Sequence, residues 1–340
     1  MSVLMIVCVA GNPAIDKLFE VQTVRPGEIH RPDAFVPLPG GKGIHVAQVA
    51  TALGAEAIAT GLLGGHHGRW LAETLAAEGV PGVFAWAARG ETRSCLTVAD
   101  TVTRSLTEFY EDGIEATPED WAALTRVVDE LLAQGPSWLA MAGSVPAAPA
   151  ASAGPAAPAA SPAPAASGAG YAPLVRTARA AGVRSAVDSR GADLERALHA
   201  GPDLVKVNAA EAAELLERPA IDGAAEAHAA AVAIRARAGG EGHAVIITLG
   251  ERGMVMVEPD GGAWHGAIDV RGHYPVGSGD AFLAGLLVAL TADGAGPGGW
   301  PDAARLGLGA ATANAEVPGA ARLDPARARA LAATAEIVRL

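Results

Sequence analysis

Near the carboxyl third of the chain, Gly277-Ser278-Gly279-Asp280 runs directly into ten uncharged residues, 281–290. Two glycines around one small residue permit a tight turn, and the apolar run after Asp280 predicts a helix buried on nearly every face. The first N–H groups of a helix lack internal partners and carry partial positive charge, so this turn is a ready seat for a phosphate. Asp280 would stand beside that guest as an acceptor-only carboxylate, suited to taking the proton of an attacking hydroxyl. Phosphoryl transfer with Asp280 as base is the leading reading. The alternative is that Asp280 only N-caps the helix, which Asp does well.

Other residues with chemical potential sit at similar turns. Asn12-Pro13-Ala14-Ile15-Asp16 follows the apolar residues 3–10, a buried first strand, and leaves Asp16 near its carboxyl end. In open α/β sheets that edge is where ligands bind. Pro39-Gly40-Gly41-Lys42-Gly43 opens a second glycine-lined helix, over residues 44–53. The nucleotide P-loop pattern is absent, because Gly43 and not Ser or Thr follows Lys42. Neither an HRD nor a DFG tripeptide occurs, which argues against a protein-kinase fold.

The elements that must hold these turns alternate strand and helix. Strands are expected over 55–61, 80–86, 138–141, 183–188, 203–207 and 243–249, with helices over 69–78, 117–134, 171–181, 192–199 and 301–316. That alternation implies a parallel sheet with crossover helices. Residues 94–99 and 105–110 read as two paired strands, and 253–258 with 263–266 as a hairpin. No internal repeat is present.

Composition bounds the rest. The 340 residues are half apolar and only 18% charged, enough for a large core. A net charge of −12 disfavours non-specific attraction to nucleic acid or an anionic membrane, so any phosphate site must be locally basic. Cys8 and Cys95 lie in apolar contexts without metal spacing, which predicts buried free thiols in a reducing compartment. With no basic leader and no membrane-length run, the expected location is cytoplasmic. Residues from about 146 to 170 are almost wholly Ala, Pro, Ser and Gly without charge, and are expected to form a disordered insert.

Taken together, Gly40-Gly41-Lys42-Gly43, Asn208-x-x-Glu211 and Gly277-Ser278-Gly279-Asp280 resemble the signatures of the PfkB (ribokinase-like) carbohydrate kinases. Asn12-Pro13-Ala14-Ile15-Asp16, Thr92-Arg93, Gly143-Ser144-Val145-Pro146 and Thr248-Leu249-Gly250-Glu251-Arg252-Gly253 are similar to its 1-phosphofructokinase and tagatose-6-phosphate kinase branch. The resemblance implies one kinase domain over 1–340, a ribokinase-like three-layer α/β/α sandwich with a small β-sheet lid, about residues 18–38 and 94–111. It also implies ATP and Mg²⁺ as cofactors, a sugar or sugar-phosphate substrate and a homodimer through the lid.

On that pattern Asp16 would bind sugar hydroxyls, while Gly40 and Gly41 let the sugar approach the backbone. Lys42, Arg93 and Ser144 would hold the phosphate already on the substrate. Asn208 and Glu211 would organise the metal through water, although Asn-x-x-Glu is equally a capping box. Lys206 would reach an ATP phosphate; Thr248, Gly250 and Gly253 would form a nucleotide loop, with Asn314 at the adenine. Gly277, Ser278 and Gly279 would stabilise the transferring group and Asp280 would act as base.

Three departures stand out. His45 replaces the branch's usual Asn, and imidazole can bond a hydroxyl, titrate near neutrality or simply pack on its helix. Asp188-Ser189-Arg190-Gly191 replaces Asp-Thr-Ser-Gly and brings an extra cation, and Val207 replaces a proline. The expected activity is ATP-dependent phosphorylation of fructose 1-phosphate or tagatose 6-phosphate. A same-fold kinase of an unphosphorylated sugar or nucleoside, and a non-catalytic ligand-binding regulator, are the rival readings.

Overall fold

The computed structural model describes residues 5–146, 170–292 and 299–340. Its first part comprises strands β1 (Met5–Ala10), β2 (Ala14–Val21) and β3 (Ala34–Gly40), helix α1 (Lys42–Ala52), β4 (Glu56–Leu63), α2 (Gly65–Ala77) and β5 (Ala85–Trp86). Next come β6 (Arg93–Asp100), β7 (Ser105–Tyr110), α3 (Pro118–Leu132), β8 (Trp138–Ala142), α4 (Tyr171–Ala180), β9 (Arg184–Asp188), α5 (Gly191–Ala200) and β10 (Leu204–Asn208). The remainder is α6 (Ala209–Leu215), α7 (Ala224–Ala238), β11 (Ala244–Thr248), β12 (Met254–Val257), β13 (Ala263–Ala267), α8 (Ser278–Ala292), α9 (Trp300–Ala315), α10 (Pro325–Ala332) and β14 (Glu336–Arg339).

Ten strands form one sheet in the order β14-β13-β12-β11-β10-β9-β8-β1-β4-β5, parallel from β11 to β5 and antiparallel across β12, β13 and β14. β1 shows why the sheet is covered on both faces. Met5, Val7 and Val9 enter one apolar cluster with α3, α4, α5 and α7, while Ile6, Cys8 and Ala10 enter another with α1, α8, α9 and α10. Alternate side chains of a strand point to opposite faces, so an all-apolar strand demands helices on each. The three-layer α/β/α arrangement expected from the sequence follows.

A second sheet of four strands, β3-β2-β6-β7, stands apart from the first. Its strands begin at Ala14 and Arg93, several residues ahead of 18 and just ahead of 94. Pro37 and Pro39 lie on β3, an edge strand, where a missing N–H costs no ladder bond.

Some expectations changed. Of residues 80–86 only Ala85–Trp86 form a strand, because Pro81 has no N–H to offer; Gly82 makes a lone bridge to Ala59. Helices α7 and α10 and strand β14 had no counterpart in the sequence reading. α7 reads AAEAHAAAVAIRARA, and alanine marks no face as apolar, so the helical period is flat. The Ala/Pro-rich insert falls on residues 147–169, outside the described residues. Both cysteines are free and buried, as expected. Among the described residues no helix is long and apolar enough to cross a membrane.

Candidate active site

Because β1, β8, β9, β10 and β11 run the same way, their carboxyl ends share one edge of the sheet. That edge brings together Asn12, Gly143-Ser144, Asp188-Ser189, Asn208 and Thr248, and α1 and α8 begin beside it.

The turn into α8 has Gly277 at φ +80, a left-handed conformation that side-chain-bearing residues rarely adopt. Ser278 N donates to Pro275 O (3.1 Å), while Asp280 N and Ala281 N both donate to Gly277 O (3.1 and 2.9 Å). The N–H groups of Gly277 and Gly279 make no hydrogen bond among the described residues, which leaves those two amides for an anion. Lys206 adds charge there: a Cβ on Gly279 would lie 2.8 Å from its Nζ. Asn314, fully buried, donates through Nδ2 to Val276 O (2.9 Å) and Ser278 Oγ (3.2 Å). It therefore braces the turn from behind and lines neither cavity, in contrast to the adenine contact expected of it.

Opposite the turn, His45 on α1 joins two carboxylates. Its Nδ1 lies 2.8 Å from Asp280 Oδ2 and its Nε2 2.9 Å from Asp16 Oδ2, both within hydrogen-bond distance, with His45 only 6% and Asp280 5% exposed. Burial pulls the imidazole down, but the hydrogen bonds to Asp16 and Asp280 and the charges behind them outweigh it and push His45 up to about 10. This is far from titration near neutrality. The Asp16 carboxylate lies where a Cβ of Gly40 would be, which is why that position has no side chain. Gly43 likewise packs against the Val9 and Ala10 backbone, bringing the start of α1 onto β1.

A second charge network lies deeper. Lys42 Nζ donates to Asp188 Oδ1 (2.7 Å) and Glu211 Oε1 (3.2 Å), and Lys206 donates to the other Asp188 oxygen. Burial disfavours the Lys42 charge, yet Asp188, Asp280 and Glu211 hold its ammonium well above the usual range. Asp188 is fully buried, which by itself would raise it, but Lys206 and Lys42 hold it below the ordinary carboxylate value. Asn208 and Glu211 do form a capping box: Asn208 Oδ1 accepts from Glu211 N and Glu211 Oε2 from Asn208 N, each at 2.9 Å. Cap and site coexist, since the other Glu211 oxygen reaches Lys42. Arg93 donates to Asn12 O (3.2 Å) and Glu111 O (3.4 Å), while its buried Nε has no partner among the described residues.

Two cavities open on this edge. One of about 360 Å³ lies under the four-stranded sheet and takes in Asp16, Gly41, His45, Arg93, Ser144 and Arg190. The other, of about 460 Å³, takes in Lys206, Asn208, Thr248, Gly250, Gly253 and the Ser278-Gly279 turn. They share Lys42, Gly277 and Asp280. Lys42 thus stands between the cavities, with Glu211 on the side of the first. Two groups of residues at this edge, Asp188 buried beneath the cavities and an apolar part of the second cavity's wall, had escaped the sequence reading as site residues. Asp188 had a usable signal, an acid ending a strand at the ligand edge; Ile268, Val270 and Leu308, apolar walls of the second cavity, had none.

Among the described residues no group of three or more His, Cys, Asp or Glu side chains could ligate a metal directly. Asp188 has a lysine on each oxygen, whereas Asn208 lines the second cavity and its capping partner Glu211 the first, which puts this pair of oxygen donors where the two cavities meet at Lys42. That set fits a hydrated Mg²⁺ carried largely by phosphate oxygens.

A sequence model of the pfkB family carbohydrate kinases matches residues 7–327. A 1-phosphofructokinase of Rhodobacter capsulatus is 32% identical over 295 residues, 85% of this chain and 84% of that one. Another, from Haloferax volcanii, is 32% identical over 286 residues, 84% of each. Among solved structures, phosphofructokinase-2 from Escherichia coli in complex with potassium superposes with a TM-score of 0.81 at 24% identity, covering 98% of this chain and 99% of that one.

Proposed function

The chain belongs to the pfkB family of carbohydrate kinases, ATP-dependent enzymes that phosphorylate sugars, and we propose that its acceptor is a ketose phosphate, fructose 1-phosphate or tagatose 6-phosphate. The observation that carries this reading is the meeting of the two cavities at Lys42, Gly277 and Asp280. An acceptor in the first and the nucleotide in the second bring hydroxyl and γ-phosphate together at one carboxylate and two free amides.

Asp280 then takes the proton of the attacking hydroxyl as the oxygen–phosphorus bond forms and the bond to the ADP oxygen breaks. The Gly277 and Gly279 amides, with Lys206 close by, stabilise charge on the transferring group. Lys42, reaching both cavities, screens the two phosphorylated reactants from each other. Mg²⁺, held through water by Glu211 and Asn208, supplies further neutralisation of the nucleotide's phosphates. The four-stranded sheet, acting as a lid, excludes water as a competing acceptor.

Support for an acceptor that already bears a phosphate comes from Arg93 and Arg190, two cations in the wall of the first cavity, with Ser144 beside them. A neutral sugar would gain little from both. The similarity to 1-phosphofructokinases favours fructose 1-phosphate. Pairing of two lids in a homodimer would cover Phe35 and Phe109, exposed by 52% and 60% on the outer face of the small sheet; light scattering tests it.

The deciding experiment is MgATP-dependent ADP release with both ketose phosphates, fructose 6-phosphate, free hexoses, ribose and nucleosides, using Asp280→Asn as control. One ketose phosphate should stand out, and the variant should lose about 10²–10⁴ in kcat. Turnover of neutral acceptors alone would overturn the phosphosugar assignment, and near-normal turnover by Asp280→Asn would overturn the base.

A further inference from the structure

The His45 contacts carry a consequence beyond acceptor binding. Ionised carboxylates only accept hydrogen bonds, so a ring whose two nitrogens both face carboxylate oxygens, at 2.8 and 2.9 Å, must carry a proton on each. With both N–H groups taken, the ring has no polar edge left for a sugar. Asp16 Oδ1 and Asp280 Oδ1 have no partner among the described residues, and both side chains face the first cavity.

We propose that His45 is a positioning residue, held as an imidazolium between Asp16 and Asp280, that selects which Asp280 oxygen meets the attacking hydroxyl. By taking Oδ2 of each carboxylate it leaves the reacting end of the acceptor cavity lined by two hydrogen-bond acceptors. That wall suits a polyol in which the hydroxyl to be phosphorylated and a neighbouring hydroxyl both donate. The proposal rests on Asp280 being the base.

The surroundings favour the charged ring. α1 packs against β1, β3, β4, β8 and α8, and near β2. The ionisable groups these bring are Asp16 from β2, with Lys17 next to it in the cavity wall donating to Ser94 Oγ and Glu20 further along the strand, Asp280 from α8, the buried Cys8 thiol from β1, which burial pushes up and keeps neutral, and Glu56 at the remote, exposed start of β4. Cys95, paired with Asp16 across β2 and β6, is likewise pushed up, to about 11. On the helix itself, Lys42 is occupied by Asp188 and Glu211. Two carboxylates therefore outnumber the one imidazole.

The test combines ¹⁵N NMR of histidine-labelled protein, with the His45 signal assigned by its absence in His45→Asn, and kcat and KM from pH 6 to 11 for wild type, His45→Asn and His45→Gln. The inference expects a doubly protonated ring at pH 8 that loses its proton only near pH 10, with wild-type kcat falling along the same curve. The variants should lose about 10- to 100-fold in kcat, keep the KM for MgATP and lack that alkaline limb. A ring that titrates near its ordinary value, or His45→Asn with wild-type kcat and pH profile, overturns it. Should the wild type turn over no acceptor, the proposed reaction fails, while the NMR titration on the wild-type protein still decides the state of the ring. Should the variants not fold, that titration again decides.

Discussion

Replacing Gly277 by alanine tests whether the turn into α8 is held to its geometry. At φ +80 an L residue pays roughly 1–2 kcal/mol in backbone strain. The new Cβ would also stand 2.8 Å from Ala320 Cβ and 3.0 Å from Ala320 Cα and Ala321 N. Ordinary carbon contacts are about 3.5–4 Å, so the turn or its neighbour must move by roughly 0.5–1 Å. The neighbour is poorly placed to yield, since Ala320 and Ala321 are buried and Ala321 already sits at φ +58. Overpacking of this kind adds roughly 1–3 kcal/mol. Gly182 is the control, because it has φ +71 but nothing within 4 Å of its Cβ position, so Gly182→Ala meets the strain alone. With about 2.1 cal/mol/K of unfolding entropy per residue over 340 residues, each kcal/mol moves Tm by roughly 1.4 °C. Gly182→Ala should then melt about 1.5–3 °C lower with unchanged kcat, and Gly277→Ala about 3–7 °C lower. A displacement approaching 1 Å at the reacting atoms should lower kcat by about 10²-fold. Calorimetry and steady-state kinetics read both quantities. If Gly277→Ala keeps kcat within about twofold of wild type and melts no lower than Gly182→Ala, the turn does not position the chemistry.

Other perturbations follow from the same contacts. His45 titrates near 6.5 when unfolded and about 10 when folded, so its contribution to stability is complete below pH 6.5 and is lost as pH rises through about 10. At roughly 1.4 kcal/mol per pH unit this is several kcal/mol, and urea unfolding of wild type against His45→Asn should show the gap closing across that window. Tyr171→Phe removes a hydroxyl that accepts from Gly11 N (3.1 Å) and donates to Ala142 O (2.9 Å), leaving both backbone groups unpaired. It should cost about 1–3 kcal/mol by denaturant titration, and a cost below about 0.5 kcal/mol would show that water replaces the hydroxyl. Thr117→Ala breaks the capping box of α3, in which Thr117 Oγ1 accepts from Asp120 N (3.2 Å), and should cost about 1 kcal/mol while leaving kcat alone.

What could be read along the chain was local. Turns marked by Gly40-Gly41 and Gly277, the helix start at Thr117, the capping box at Asn208, the wholly apolar β1 and the strand–helix alternation each depend on residues within a few positions of one another. Alternation alone implies a parallel sheet, and a parallel sheet puts its strand ends on one edge, so the neighbourhood of the site was legible in the sequence. Pairing across that edge was not. His45 meets Asp16 across 29 positions and Asp280 across 235, and Lys42 meets Asp188 across 146. No local pattern encodes these contacts, because they depend on how closely α1 and α8 pack over β1, an approach that Gly40 and Gly43 permit by omitting a side chain. Asn314 shows the same limit from the other side: its type suggested a ligand contact, while burial behind the Gly277 turn made it a brace. In alanine-rich α7 and α10 even local periodicity failed, and only burial, of α7 against β11 and β12 and of α10 against α9, decided their faces. Local propensity acts through the backbone over one or two turns, whereas a side chain's partners and charge state are set by the tertiary packing that closes around it.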